Sequence, residues 1–265
     1  MAIFVILFGK FFDHMYTYAL KIYQKICPKT AYFFGQSEFR KNSIIGLLIV
    51  PILSYGEETM HNHILQEGDP VLRGLARSLT VEEIVSAPIQ ELIEDMKRIM
   101  REAPGVGLAA PQIGSSLQIA VIEDSPEFMK FLTPEQIAER DRRVVPFHVI
   151  INPKITLIES EGTAEFFEGC LSIPDTRAIV SRAKCVRVDC LNEKGEPIVI
   201  EAQGWYARIL QHEIDHLNGV LFVDRAYRTS IMSEETYQTN WMGKSIAEIR
   251  SCLCPTSEGC FTCDL

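Results

Sequence analysis

Between Ile89 and Ala103 the apolar residues Ile89, Leu92, Ile93, Met96, Ile99, Met100 and Ala103 recur at steps of three and four. That spacing places them on one buried face of a helix. Ser86 stands where such a helix is capped, and "APG" at 103–105 ends it. The period then changes. Runs rich in β-branched residues follow at 117–123 ("LQIAVIE"), 148–152 ("HVIIN"), 154–159 ("KITLIE"), 185–192 ("CVRVDCLN") and 197–202 ("PIVIEA"), with "NEKG" as the hairpin turn between the last two. From Gln203 and Gly204 to Leu217 no breaker interrupts the chain, and Gly219 closes a second helix of about four turns. Strands clustered between helices predict an α+β fold, with mostly antiparallel β-sheets packed around the second helix and an N-terminal helix ahead of them. The polar segment 125–143 reads as a surface insertion with a short helix, and the chain holds no internal repeat.

The organisation along the chain follows from where this regularity begins and ends. Residues 59–228 are expected to form the main folded domain, 1–58 a leader or extension, and 229–265 a cysteine-containing tail, the boundary at 228 being set by the resemblance described below. The apolar stretches "MAIFVILFGKFF" and "SIIGLLIVPILS" are broken by Lys10 and Pro51. Both fall short of the roughly 20 residues that span a bilayer, so a membrane is not the expected partner. An organelle-targeting leader fits better than an anchor, and the remaining reading is a disordered or wrongly included leader, with Met60 as an alternative start.

Charge narrows the partners. Of 26 Lys/Arg and 35 Asp/Glu, residues 1–56 hold six and two, so the remainder carries a net charge of -13. Such a body offers no general footprint for nucleic acid, whose binding rests on cations neutralising phosphates. A chain of this size needs no covalent staples, and the eight cysteines form no disulfide framework, which points to a reducing compartment. The tail motif "CLCPTSEGCFTC" has no standard zinc-knuckle spacing, and nothing in the pattern selects an oligomeric state.

The chemistry concentrates in "QHEIDHLNG" (211–219). At about 100° per residue, His212 and His216 lie roughly 40° apart on one helix face, with Glu213 about 60° beyond His216. Two imidazoles aimed at one ion beside a free carboxylate make the metal-plus-base pattern H-E-x-x-H. The bland alternative is a pair of surface histidines on an amphipathic helix. A third ligand is needed, and Cys170 in "EFFEGCLSIP" leads, because Gly169 lets backbone approach closely. A lone cysteine is otherwise a small buried hydrophobe. The segment "GVGLAAPQ" (105–112) lacks the Lys-Ser/Thr of a phosphate loop and by itself reads as a glycine turn.

Together, "GVGLAAPQ", "EGCLS" and "QHEIDH" resemble the three motifs of the peptide deformylases, complete and in order, over about Gln66 to Arg228. The resemblance implies a hydrolase that releases formate from the formyl-methionine end of newly made polypeptides. It implies that Cys170, His212 and His216 bind one divalent metal, leaving a fourth position for water. Iron(II) comes first, because members are commonly iron enzymes, and zinc second, on ligand softness. Glu213 would be the proton carrier, and Gln112 and the backbone N–H of Leu171 would hold the oxyanion. Gly105, Gly107 and Gly169 would leave open backbone for the peptide, and Val106, Trp205 and Ile209 would line the methionine slot. Trp205 departs from the smaller aliphatic residue of the common bacterial pattern and resembles mitochondrial and plant-mitochondrial variants; a narrower pocket, or a Trp filling the core, are the two readings. Glu168 and Arg177 match family positions and are expected to pair near the pocket, and Asp215 to be a solvated or salt-bridged acid. The implied location is cytoplasmic for a bacterial protein, and mitochondrion or plastid for a eukaryotic one. Transient ribosome contact is a family property that a basic C-terminal helix mediates in some bacteria; residues 229–265 hold only Lys244 and Arg250 against five acids. A zinc endopeptidase sharing H-E-x-x-H, which takes a downstream His or Glu as third ligand, and a non-catalytic relative are the competing readings.

Overall fold

The computed structural model describes residues 63–130 and 132–253, so the reading of 1–58 and that of the tail cysteines at 254–263 fall outside it. Strands β1 (Gly107–Ala109), β2 (Ile119–Asp124), β3 (Val145–Leu157), β6 (Cys185–Leu191) and β7 (Pro197–Gln203) form an antiparallel sheet in the order β1-β2-β3-β6-β7. Strands β4 (Thr163–Cys170), β5 (Ile173–Ala183) and β8 (Met232–Ser233) form a second sheet in the order β4-β5-β8. This is the α+β arrangement expected from the pattern.

Helix α1 (Ala87–Glu102) buries Leu92, Ile93, Met96, Ile99 and Met100. Each such side chain contributes about 1.5–3 kcal/mol. They pack on Leu108, Ile119, Val121, Val149 and Ile151. The alternate residues Ala109, Ala120, Ile122 and Ile150 point the other way, to Ala207, Leu210, Ile214 and Leu217 of helix α2 (Gly204–Leu217). Period-two alternation thus lays β1, β2 and the middle of β3 between two helices, which is why they read as continuous apolar runs. Among the described residues no helix is long and apolar enough to cross a membrane.

Three local expectations change. Ser86 sits at the N-cap of α1, but its hydroxyl donates to the carbonyl of Glu83 (2.6 Å) and makes no cap bond; Pro88, at the second helical position, has no N–H to offer it. The runs 148–152 and 154–159 are one strand, β3, carrying a register shift between Ile151 and Lys154 where Asn152 takes φ 52°. Segment 125–143 forms two short helices, Pro126–Met129 and Pro134–Glu139, and is more than surface. Asp124 is fully buried, and the Arg142 guanidinium grips it through two bonds of 2.8 Å.

Candidate metal centre and substrate cleft

Helix α2 owes its position to having two buried sides. The apolar stripe faces the first sheet, while Arg208, Gln211, His212 and Asp215, spaced at three and four, face the second. The Gln211 amide pairs with both backbone groups of Ala183, donating at 2.9 Å and accepting at 3.1 Å. Arg208 donates to the carbonyls of Val180 (2.9 Å) and Ala164 (2.6 Å). Asp215 is bound by Arg182 and by Nε and Nη2 of Arg225 (2.7 and 2.8 Å). Of the two readings of Asp215, the ion-paired one holds, and the residue is buried rather than solvated.

The second sheet supplies the cysteine. Pairing of β4 with β5 shifts register between Glu168 and Cys170, so a bulge at Gly169 re-aims the strand end just where it turns into β5. The Cys170 Sγ then lies 3.2 Å from His216 Nε2. His212 and His216 stand with ring centroids 5.0 Å apart. One ligand atom from each of Cys170, His212 and His216 falls within 4.8 Å of the others. A tetrahedral ion with the usual zinc–sulfur and zinc–nitrogen bond lengths needs donors separated by about 3.4 Å, so the three side chains fit one. They form the metal-binding triad.

Glu168 is the support behind this triad. Its carboxylate is 5% exposed and accepts from Arg182 Nε and Nη2 (3.0 Å each), from Arg208 Nη1 (2.6 Å) and from His212 Nδ1 (3.0 Å). Burial opposes its charge, but Arg182, His212 and Arg208 overcome that and hold the carboxyl well below the ordinary range. The last bond fixes the tautomer of His212 and leaves Nε2 for the ion. Burial also opposes protonation of His212, yet Cys170 and Glu168 together raise its pKa well above 6.5. Burial, aided by the charge of His212, keeps His216 well below the same value.

The expected pairing of Glu168 with Arg177 is not found. Glu168 turns inward to two arginines, whereas Arg177 pairs with Glu234 on the following helix. Arg182 and Arg208 escaped the sequence reading because charged residues inside a strand and a helix look like solvated ones. Their unusual burial, 4% and 3% exposed, comes from each other's partners.

The triad opens into a cleft of about 420 Å³. Gly105, Val106, Gly107, Gly169, Leu171, Trp205 and Ile209 all line it, as do Gln112 and Glu213. Gln112 is oriented at both ends: its Oε1 accepts from the Ala109 N–H (2.8 Å), and its Nε2 donates to Ser172 Oγ (3.1 Å) and lies 3.6 Å from Cys170 Sγ. Glu213 is 4% exposed, its Oε2 has no partner, and burial pushes its pKa up to about 7. Gly107 makes room for it, because a Cβ there would stand 2.6 Å from Glu213 Cδ. Trp205 packs on the helix-sheet core, as one of its two readings has it, and also lines the cleft. Its ring meets Phe166 edge-on (6.1 Å) and lies under the guanidinium of Arg142 (5.3 Å). Leu132, Arg140 and Arg142 of the insertion, and Glu234 and Tyr237 beyond Arg228, also line it and were not foreseen.

Residues 61–231 match the family model described as polypeptide deformylase. The chain is 47% identical over 176 residues to peptide deformylase 1A, chloroplastic, of Solanum lycopersicum, covering 66% of this chain and 61% of that protein. Against peptide deformylase 1A, chloroplastic/mitochondrial, of Arabidopsis thaliana it is 47% identical over 170 residues, 63% of each. Both shares of the relatives are under two thirds. A crystal structure of the class I type b peptide deformylase from Acinetobacter baumannii, bound to Met-Ala-Ser, superposes with a TM-score of 0.54 at 36% identity, covering 61% of this chain and 96% of that one. With the family match spanning well over half of its length, the chain belongs to the polypeptide deformylase family.

Proposed function

We propose that the protein removes the formyl group from the N-terminal formyl-methionine of newly made polypeptides, releasing formate. The observation that carries this reading is the meeting of Cys170, His212 and His216 with Glu213 and Gln112 at one end of an open cleft. Cys170, His212 and His216 would hold the ion, iron(II) before zinc. When bound, the ion lowers the pKa of water and polarises a carbonyl. Glu213, buried with a free Oε2, takes the proton of the attacking water and returns it to the departing amine nitrogen. The Gln112 Nε2 and the Leu171 N–H donate to the developing oxyanion, each worth about 3–4 kcal/mol.

The peptide enters as a strand. β1 and β4 each lie at the edge of their sheet, and Gly105, Gly107 and Gly169 at their ends line the cleft. Val106, Trp205 and Ile209 take the unbranched methionine side chain. Formate release from formyl-Met-Ala-Ser, assayed with anaerobically purified protein, tests the reading. Glu213→Gln is expected to lower kcat at least 100-fold. Cleavage of internal peptide bonds without formate favours an endopeptidase instead. The relatives named for chloroplast and mitochondrion support an organelle location, tested by fusing residues 1–62 to a fluorescent protein. Nascent substrates bring the protein to the ribosome, and cosedimentation of the full chain with ribosomes at low salt tests that contact.

A further inference from the structure

The first sheet has two edges. β1 opens on the cleft, whereas β7 forms the opposite edge, and none of residues 197–201 lines the cleft. The bonds at the two ends of the β6–β7 hairpin fix which way its backbone groups point. The Asn192 N–H donates to the Glu196 carbonyl (2.9 Å) and the Gly204 N–H to the Lys184 carbonyl (2.9 Å). Bonded and unbonded pairs alternate along an antiparallel ladder. Between these ends, then, Cys190–Ile198, Val188–Ile200 and Val186–Ala202 are the bonded pairs. Pro197, Val199 and Glu201 turn their backbone groups away from β6, which is why a proline is tolerated at 197. Among the described residues nothing pairs with those groups. A free edge is commonly blunted by lysines, by a bulge or by being very short. β7 has seven residues with Ile198, Val199 and Ile200 at its centre, and its one blunting feature is the proline at its start. Val199 is 52% exposed, while Ile198 and Ile200, on the core face, are half-buried.

We infer that β7 pairs antiparallel with β7 of a second copy of this chain, about a twofold axis at Val199, joining the two five-stranded sheets into one. In that register the strand is complementary to itself. The two Val199 residues exchange both of their bonds, and each Glu201 N–H donates to the Pro197 carbonyl of the second copy. On the core face each Ile198 meets an Ile200, so the apolar rows that run through Val188 and Cys190 continue across the axis. On the outer face Glu201, already 3.7 Å from Arg187, meets Pro197. The neighbouring registers are worse. An axis at Glu201 sets two carboxylates face to face, and one at Pro197 sets two residues without donors together. An axis at Ile198 puts Ile200 against Glu196, and one at Ile200 brings the two Glu201 side chains together on the diagonal. Each copy uses this edge once, so the assembly closes at two. No cleft residue takes part, and the inference stands apart from the deformylase reading.

Sedimentation of the full chain over a range of concentrations tests it. The unsubstituted protein should reach twice the chain mass and dissociate on dilution. Val199→Lys sets two like charges together at the axis and should weaken self-association about 100-fold or more, with the circular dichroism spectrum unchanged. Crosslinking reads the register directly. Across the axis the Val199 Cα atoms would stand about 5.5 Å apart, within the roughly 4.4–6.8 Å that a disulfide spans. The Pro197 positions would lie about 14 Å apart along the strands. Under mild oxidation Val199→Cys should therefore give a covalent dimer well above the level of the unsubstituted chain, and Pro197→Cys should not. A full chain that stays monomeric at every concentration overturns the inference. So does a dimer that Val199→Lys leaves intact, a larger assembly, or a Pro197→Cys crosslink as efficient as that of Val199→Cys.

Discussion

Replacing Glu168 by Gln changes one oxygen for an NH2 group and should cost far more than its size suggests. Four donors converge on this carboxylate, three from buried arginines and one from a metal-binding imidazole. The amide of Gln keeps a single acceptor oxygen and turns its own N–H groups toward donors, either Arg182 Nη2 and His212 Nδ1 or Arg182 Nε and Arg208 Nη1. Of the two guanidiniums, 4% and 3% exposed, Arg182 then keeps Asp215 as its counter-charge, while Arg208 keeps only the carbonyls of Val180 and Ala164 among the partners described. Breaking such a pair from one side costs about 3–5 kcal/mol. Equilibrium urea unfolding of the full chain should show that loss as a lower midpoint at an unchanged slope. His212 also loses the partner that fixes its tautomer, so competition with a chelator should show metal affinity lowered about 10- to 100-fold. A Glu168→Gln protein within 1 kcal/mol of the parent, by the standard of about 1.4 kcal/mol per tenfold change, would refute the claim that this carboxylate neutralises the buried arginines.

The other predictions probe separate parts of the account. Arg142→Ala leaves the buried Asp124 without its cation and should destabilise by about 3–5 kcal/mol, with faster proteolysis inside 125–143; an unchanged cleavage pattern would contradict the role given to this pair. Gly107→Ala should preserve the fold but push the Glu213 carboxyl aside by about 1 Å, lowering kcat about 100-fold in the formate assay. His148 gives a pH signature. Its Nδ1–H donates to the Pro146 carbonyl (2.9 Å) and its Nε2 accepts from the Tyr206 hydroxyl (2.8 Å), so the ring is neutral. Burial lowers its pKa below 6.5. Above 6.5 the folded and unfolded chains are both neutral at this site; below it the unfolded chain takes up a proton that the folded ring refuses, so stability falls until the folded pKa is passed. His148→Gln should flatten that part of the curve of unfolding free energy against pH.

What the sequence disclosed follows from how each element is buried. α1 has one apolar face and α2 has clear breakers at both ends, so their bounds were readable to within a residue or two. β2, β6 and β7 carried β-branched runs, which the sheet buries almost throughout in β2 and on one face in β6, while β7 buries only Ala202. β4 and β5 did not, because "TAEFFEGC" and "IPDTRAIVSRA" carry Glu168 and Arg182 where alternation asks for apolar residues. Those charges are satisfied by one another and by Arg208 across the sheet-helix boundary, a pairing invisible to local pattern. The triad was legible because H-E-x-x-H fixes two ligands by helix geometry. Its third ligand depends on a bulge at Gly169, and the walls from 132–142 and 234–237 depend on long-range packing.

The central claim is that one ion is held by a single thiolate and two imidazoles. X-ray absorption at the metal edge of anaerobically purified full chain tests it most directly. The account predicts one sulfur at about 2.3 Å and two nitrogens at about 2.0–2.1 Å for a zinc-loaded sample, with the sulfur lost in Cys170→Ser. A coordination shell of nitrogen and oxygen only in the unsubstituted protein would contradict it.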